Sequence, residues 1–436
     1  MRSELPQSKA KRETMNHTLR SAALSAVVLA ASGASPVAKA DEVSELKAAV
    51  QALQSRLEQL ESKAKAVDDT NDRQTDQIAQ AKASTGSWVS NFTFKGDFRY
   101  RNETIDQEFI QQRNRDRVRA RFGFAAKIND SLKTEVQLST SENNDPRSSN
   151  VTLTGVNTRK LINLDLAYVE WQALTDWRLT AGKMRQPWYR PGQSVLIDGD
   201  INPEGIAANY AHGDVFASAF YNSLVERAAD NDSAMFGGQV GWRPSIGASR
   251  LTVGVGYYDY QNVKARNPFF DTSNGNTVRT GAANCKGGIT TCLAFDYDEL
   301  QLFGEWSTPV AGRPLALFAD VYQNLEADNG LDTAWSAGVT YGKASDPRTW
   351  EIGYMYQVVE KDGVFGQYVD SDFGAGNTDA RGNVVKLGYA PAKNWVVNAW
   401  YHWGLTNNDA SVTIPGVGQV FDRDYERLQI DLNFKF

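Results

Sequence analysis

The chain has 436 residues, 41% of them hydrophobic, a formal charge of −6 and a mean hydropathy of −0.47. That is too polar for a bundle of membrane-crossing helices, each of which needs ~20 consecutive apolar residues. The first 40 residues hold six of the 46 basic side chains and two of the 52 acidic ones, so the remainder carries about −10 and offers nothing for nucleic acid.

Residues 1–40 read as a secretory signal. Arg20 precedes the small and apolar run Ser21–Ala31, and Ala38-Lys39-Ala40 is an A-x-A cleavage site that would leave Asp41 as the mature start. The basic region is long, so translation starts either at Met1 or at Met15. Residues 41–67 follow as a coiled coil. Val43, Leu46, Val50, Leu53, Leu57, Leu60, Ala64 and Val67 keep a 3-4 spacing, the a/d seam of a self-associating helix. The alternative is a single amphipathic helix packed on the rest of the protein. Residues 68–87 are polar and poor in aromatics and read as a flexible linker.

From residue 88 the period changes to two, and successive side chains on a strand point to opposite faces. The first strand sets Phe92, Phe94, Phe98 and Tyr100 against Thr93, Lys95, Asp97, Arg99 and Arg101. The second sets Val118, Ala120, Phe122 and Phe124 against Arg115, Arg117, Arg119 and Arg121. Similar segments begin near Leu132, Leu161, Trp177, Gly205, Val215, Ala234, Arg250, Asp296, Pro314, Leu331, Trp350, Gly382, Trp395 and Tyr425. They make sixteen antiparallel strands over 88–436. Connections alternate between long (102–112, 143–159, 405–424) and short (129–131, 172–176), as in an outer-membrane barrel. Trp88, Trp171, Trp177, Trp242, Trp306, Trp350 and Trp395 flank short turns and would form one interfacial aromatic belt. The last strand, Leu428–Phe436, is apolar on one face, polar on the other, and ends on an aromatic residue.

That order of signal, short coiled coil, linker and sixteen-strand barrel resembles the Gram-negative putative porins, relatives of the phosphate-selective porins. Ala181-Gly182-Lys183-Met184-Arg185-Gln186-Pro187-Trp188 is similar to the G-K-x-x-x-P segment before their constriction loop. The resemblance implies a trimeric, water-filled channel in the outer membrane with the coiled coil in the periplasm, and it leaves the solute open. A terminal Phe436 resembles the signal read by the barrel assembly machinery.

The expected pore lining is Lys95, Arg99, Arg101, Arg115, Arg117, Arg119 and Arg121, because their alternate neighbours must face lipid, where an arginine costs ~2–4 kcal/mol. The third loop, 183–204, carries Arg185, Arg190, Asp198, Asp200 and Glu204, and its acids would face the basic wall across a constriction. Whether acids neutralise the ladder is open, since Asp97 is the single acid beside it on the first two strands. Cys285 and Cys292, with six residues between them in an exported loop, read as one local disulfide. No nucleophile–base pair, metal set or phosphate loop appears, so no cofactor is expected. His212 and His402 read as structural, and an outer-membrane enzyme is disfavoured. The leading function is passive diffusion of small hydrophilic, anionic solutes. The alternative is a barrel-anchored tether to the cell wall.

Overall fold

The computed structural model describes residues 40–84 and 89–436, apart from 143, 144, 193 and 195. The proposed signal lies outside the described residues except for Ala40, the last residue of its cleavage site, which opens the helix below. Two units, divided after Ser87, are described separately.

The first unit contains one helix, α1, Ala40–Ser84. It runs through the stretch read above as linker. Asp68–Ser84 has neither proline nor glycine and is rich in Asp, Gln and Ala, so nothing in it breaks a helix. A polar composition that cannot build a core is still compatible with a long solvated helix. Val50, Leu53, Leu57, Leu60 and Val67 are all exposed along α1. No helix among the described residues is long and apolar enough to cross a membrane, which says nothing about strands.

The second unit is a closed antiparallel barrel of sixteen long strands. They are β1 Phe92–Gln107, β2 Ile110–Lys127, β3 Leu132–Ser141, β4 Leu161–Leu174, β5 Trp177–Lys183, β6 Glu204–His212, β7 Val215–Val225 and β8 Ser233–Trp242. Then come β9 Ser249–Gln261, β10 Tyr297–Val310, β11 Arg313–Asn324, β12 Thr333–Gly342, β13 Trp350–Val359, β14 Ala380–Ala392, β15 Trp395–Thr406 and β16 Arg423–Lys435. Each pairs with its sequence neighbours, and β1 closes on β16 from Asp97↔Lys435 to Gln107↔Tyr425. Closure leaves no unpaired edge, which a barrel in lipid requires.

One connection differs from expectation. The segment 102–112 is not a long loop. The β1–β2 ladder continues to Gln107↔Ile110, with Phe109 in a left-handed turn at φ 64°. Beyond the apolar band a strand needs no apolar face, so the period-two signal stops while backbone pairing continues. The outward face is apolar, with Phe94, Phe122, Ile206, Val240, Val255, Leu302 and Leu387 exposed. Trp171, Trp177, Trp242, Trp306 and Trp350 are also exposed near the short-turn end. The Cys285–Cys292 disulfide closes the tip of the β9–β10 loop, with Cα atoms 5.6 Å apart.

Two long loops turn into the lumen. The β5–β6 loop (184–203) packs Met184, Trp188, Leu196, Ile197 and Ile201 against Tyr258, Tyr322 and Phe220 on the wall. The β13–β14 loop (360–379) adds Val364, Phe365, Tyr368 and Val369 to the same cluster. The two loops meet where the Asp198 amide donates to the Tyr368 carbonyl at 2.7 Å. One side of the lumen is therefore an aromatic core, in which rings at 4.7–6.4 Å fix the loops. The remaining lumen lies against β1, β2, β15 and β16.

Candidate functional site

The ladder residues project where strand alternation puts them. Register sets Arg99 opposite Arg119 and Arg101 opposite Arg117, with Asp97 opposite Arg121 and Glu103 opposite Arg115. On the other side Arg99 faces Asn433 and Arg101 faces Asp431. Like charges directly across a ladder repel, so these arginines need partners.

Those partners come from four places. Glu103 bonds Arg115 and Arg427, the latter at 2.6 Å, and lies 3.7 Å from Arg117. Asp97 binds Arg119 at 2.9 Å and Arg121 at 2.8 Å. Asp431 grips Arg101 through two nitrogens, at 2.7 and 2.9 Å. Asp372, from the β13–β14 loop, takes Arg101 at 2.8 Å and Arg427 at 2.7 Å. The ladder is thus largely neutralised. Sequence reasoning counted Asp97 alone because Glu103 was placed in a loop and Asp431 belongs to a strand more than 300 residues away. Arg427, which completes this network from β16, was missed as well. Its signal was present, since it alternates with apolar Leu428 and shares a face with Gln429 and Asp431 in the terminal strand.

The β5–β6 loop delivers its acids unevenly. Asp200 lies 4.0 Å from Arg119 and 3.9 Å from Arg121, so it does face the basic wall. Burial would raise its carboxyl, but Arg119, Arg99 and Arg121 outweigh that and hold it low. Asp198 turns the other way. It accepts from the Ser371 and Asp200 amides at 2.9 and 2.8 Å and thereby ties the two inward loops together. Burial, with Asp370 and Asp200 beside it, pushes its carboxyl well up. Glu204 opens β6 and pairs with Lys183 at 2.8 Å instead of opposing the ladder. The expectation that all three acids oppose the ladder is corrected to Asp200 alone, because the loop's apolar residues, not its charges, decide how it seats. Arg185 and Lys95 converge on Glu135 at 2.6 and 2.5 Å. Arg190 reaches the lumen and donates to the Ile197 carbonyl at 3.0 Å.

The β13–β14 loop was not foreseen as a constriction element. Its Asp370 is pushed up to about 6, by burial first and then by Asp372. Burial acts on Asp372 in the same direction, but Arg427 and Arg101 hold it well below the usual carboxylate range. Glycines 363 and 366 let this loop approach other backbone too closely for a Cβ.

Between the wall and these loops lies a cavity of about 390 Å³. Its charged lining comprises Arg99, Arg101, Arg119, Arg147, Arg190 and Lys386 against Asp198, Asp200, Asp370, Asp372 and Asp431. Asn150, Asn398, Trp400, His402 and Gln429 are among its uncharged lining. His402 is buried in the lumen wall beside Trp400, as its strand position suggested, and His212 contacts Asp176 at 3.0 Å in a turn. No group of three or more possible metal ligands occurs among the described residues.

Residues 106–287 and 285–436 match the family described as Putative porin. This protein belongs to that family. Among solved structures, OprB of Pseudomonas putida is 12% identical, covers 82% of this chain and 97% of its own, and superposes with a TM-score of 0.54. OmpT of Vibrio cholerae in its trimer form is 16% identical over 79% of this chain and 99% of its own, at 0.44. A mutant of the Rh. blastica porin is 9% identical over 79% of this chain and all of its own, also at 0.44. At such identities the likeness is one of fold. Comparison with curated proteins found no match. The closed sixteen-strand barrel and the family place the chain among outer-membrane porins.

Proposed function

We propose that the protein is a trimeric outer-membrane channel that passes small hydrophilic solutes by diffusion, with a weak preference for anions. The observation that carries this is the combination of an apolar outer face with a charged cavity enclosed by the wall and two inward loops. Field at the narrowest point, not total charge, sets selectivity. Six cationic side chains line the cavity against five acids. One of those acids, Asp198, is held toward its neutral form. The excess is small because the ladder carries its own counter-charges. The acids of the external loops and of α1 weigh little, because salt screens exposed charges beyond ~8 Å.

Residues 1–40 would direct export, Phe436 would engage the barrel assembly machinery, and α1 would lie in the periplasm. Three α1 helices held by one trimer would pair their exposed seams at high effective concentration. The helix also supports a second role. Its 45 residues reach ~68 Å at 1.5 Å per residue, far beyond the ~40 Å of four heptads, so a barrel-anchored tether toward the cell wall can accompany conduction.

Purified protein in a planar bilayer tests the channel reading. Stepwise ionic current and a zero-current potential slightly on the anion side in a KCl gradient are expected. A barrel that inserts without conducting would leave the tether as its role.

A further inference from the structure

The lumen cavity contains groups that the fold does not use. Arg99, Arg101, Arg119 and Arg147 each have a carboxylate within 4 Å. Arg190 does not: among the described residues it donates to the Ile197 carbonyl and joins no ion pair. Its guanidinium is held against Gly199, where a Cβ would fall 2.6 Å from both terminal nitrogens. Two further polar groups in the same lining are also left over. His402 is 3% exposed, and neither ring nitrogen completes a hydrogen bond, although Gln429 lies nearby. Asn150 is 3% exposed, and its side-chain oxygen accepts nothing. Buried polar atoms are ordinarily paired, and leaving them unpaired costs stability. The cavity volume of about 390 Å³ falls in the range of small-molecule sites, ~300–1,000 Å³.

We propose that this cavity is a binding site for a small monocarboxylate bearing hydroxyl groups, with the carboxylate on Arg190 and the hydroxyls on Asn150 and His402. This deepens the channel reading above and rests on it: the site would hold the solute briefly on its way through. One guanidinium with no carboxylate within 4 Å among the described residues, felt only at longer range by Asp320, matches one negative charge. A doubly charged anion would meet Asp198, Asp200 and Asp370, which line the same space. A hydroxyl donates to the Asn150 oxygen, which a bare carboxylate cannot do, and either donates to or accepts from an imidazole nitrogen. An apolar acid would leave both groups unpaired.

The test uses the full-length protein in a planar bilayer with KCl as carrier, and gluconate, acetate and glucose as probes. Gluconate is expected to reduce the current saturably, at lower concentration than acetate or glucose. Arg190→Gln should raise the half-blocking gluconate concentration about tenfold or more, the effect of losing a hydrogen bond to a charged group. Asn150→Ala should raise it several-fold. Arg185→Gln, on the same loop but committed to Glu135, should leave it unchanged. Tryptophan fluorescence of the detergent-solubilised protein, titrated with gluconate, reports binding at Trp400 without requiring conduction. A protein that carries KCl current but shows no saturable gluconate effect, an unchanged response in Arg190→Gln, or equal block by glucose would overturn the site. Absence of KCl current with saturable fluorescence quenching would instead overturn the channel reading and leave the site standing.

Discussion

Glu103 is the residue on which the ladder most depends. It is fully buried at 0% exposure, and its carboxylate serves Arg115, Arg117 and Arg427 together with the amide of Gln429 at 3.2 Å. In Glu103→Gln the shape is kept but the charge is lost. Arg427 still has Asp372 at 2.7 Å, so its loss is partial. Among the described residues Arg115 has no other carboxylate within 4 Å, and Arg117 keeps only Glu142 at 3.5 Å. Removing one partner of a buried pair costs ~3–5 kcal/mol, because an uncompensated charge is left behind. The residual contacts and the amide's own hydrogen bonding place the expected loss near the lower end, about 3 kcal/mol. Denaturant unfolding of the folded barrel in detergent, followed by tryptophan fluorescence, reads that loss as a lower midpoint with an unchanged slope. The same variant removes one negative charge from the wall, so its zero-current potential in a KCl gradient should move toward anions. An unchanged midpoint together with unchanged selectivity would show that the buried network does not govern either property.

Replacing Arg117 and Arg119 together with Gln should move selectivity toward cations, since Glu103 and Asp97 then lose part of their compensation, while conductance stays similar; reversal potentials check it. Asp370 titrates at about 6 instead of near 4, so the folded protein binds the extra proton between those values and the loop latch is most stable on the acid side. As pH rises through about 6 a negative charge appears in the lumen, and selectivity should drift toward cations between pH 4 and 7. Asp370→Asn should flatten that part of the drift, with recordings at several pH values as the measure. Deleting residues 41–87 should leave trimers that dissociate at lower temperature in mild detergent, as seen on native gels; strictly monomeric protein would mean that the barrels contribute little to assembly.

The strands were legible in the sequence because lipid leaves each one a single choice of register. Arg115, Arg117, Arg119 and Arg121 alternate with Val118, Ala120 and Phe122, and only one of the two faces tolerates hydrocarbon. Fourteen of the sixteen strand starts needed only that rule and the tryptophans at the short turns. The β1–β2 extension beyond Arg101 escaped it, because past the apolar band the ladder is held by backbone hydrogen bonds that carry no side-chain signature. Helix α1 was read short for a related reason: a polar, proline-free stretch is compatible with both a solvated helix and a linker. What only the tertiary structure decided is the electrostatics of the lumen. Ion pairs act over about 4 Å, and Arg101 meets Asp431 and Asp372, Arg427 meets Glu103, and Asp198 meets Ser371 only once the barrel has closed and two loops have folded inward on an aromatic core. Charge type and face are local properties of a strand. Charge compensation is a property of closure, because the partners are separated by up to 330 residues of chain.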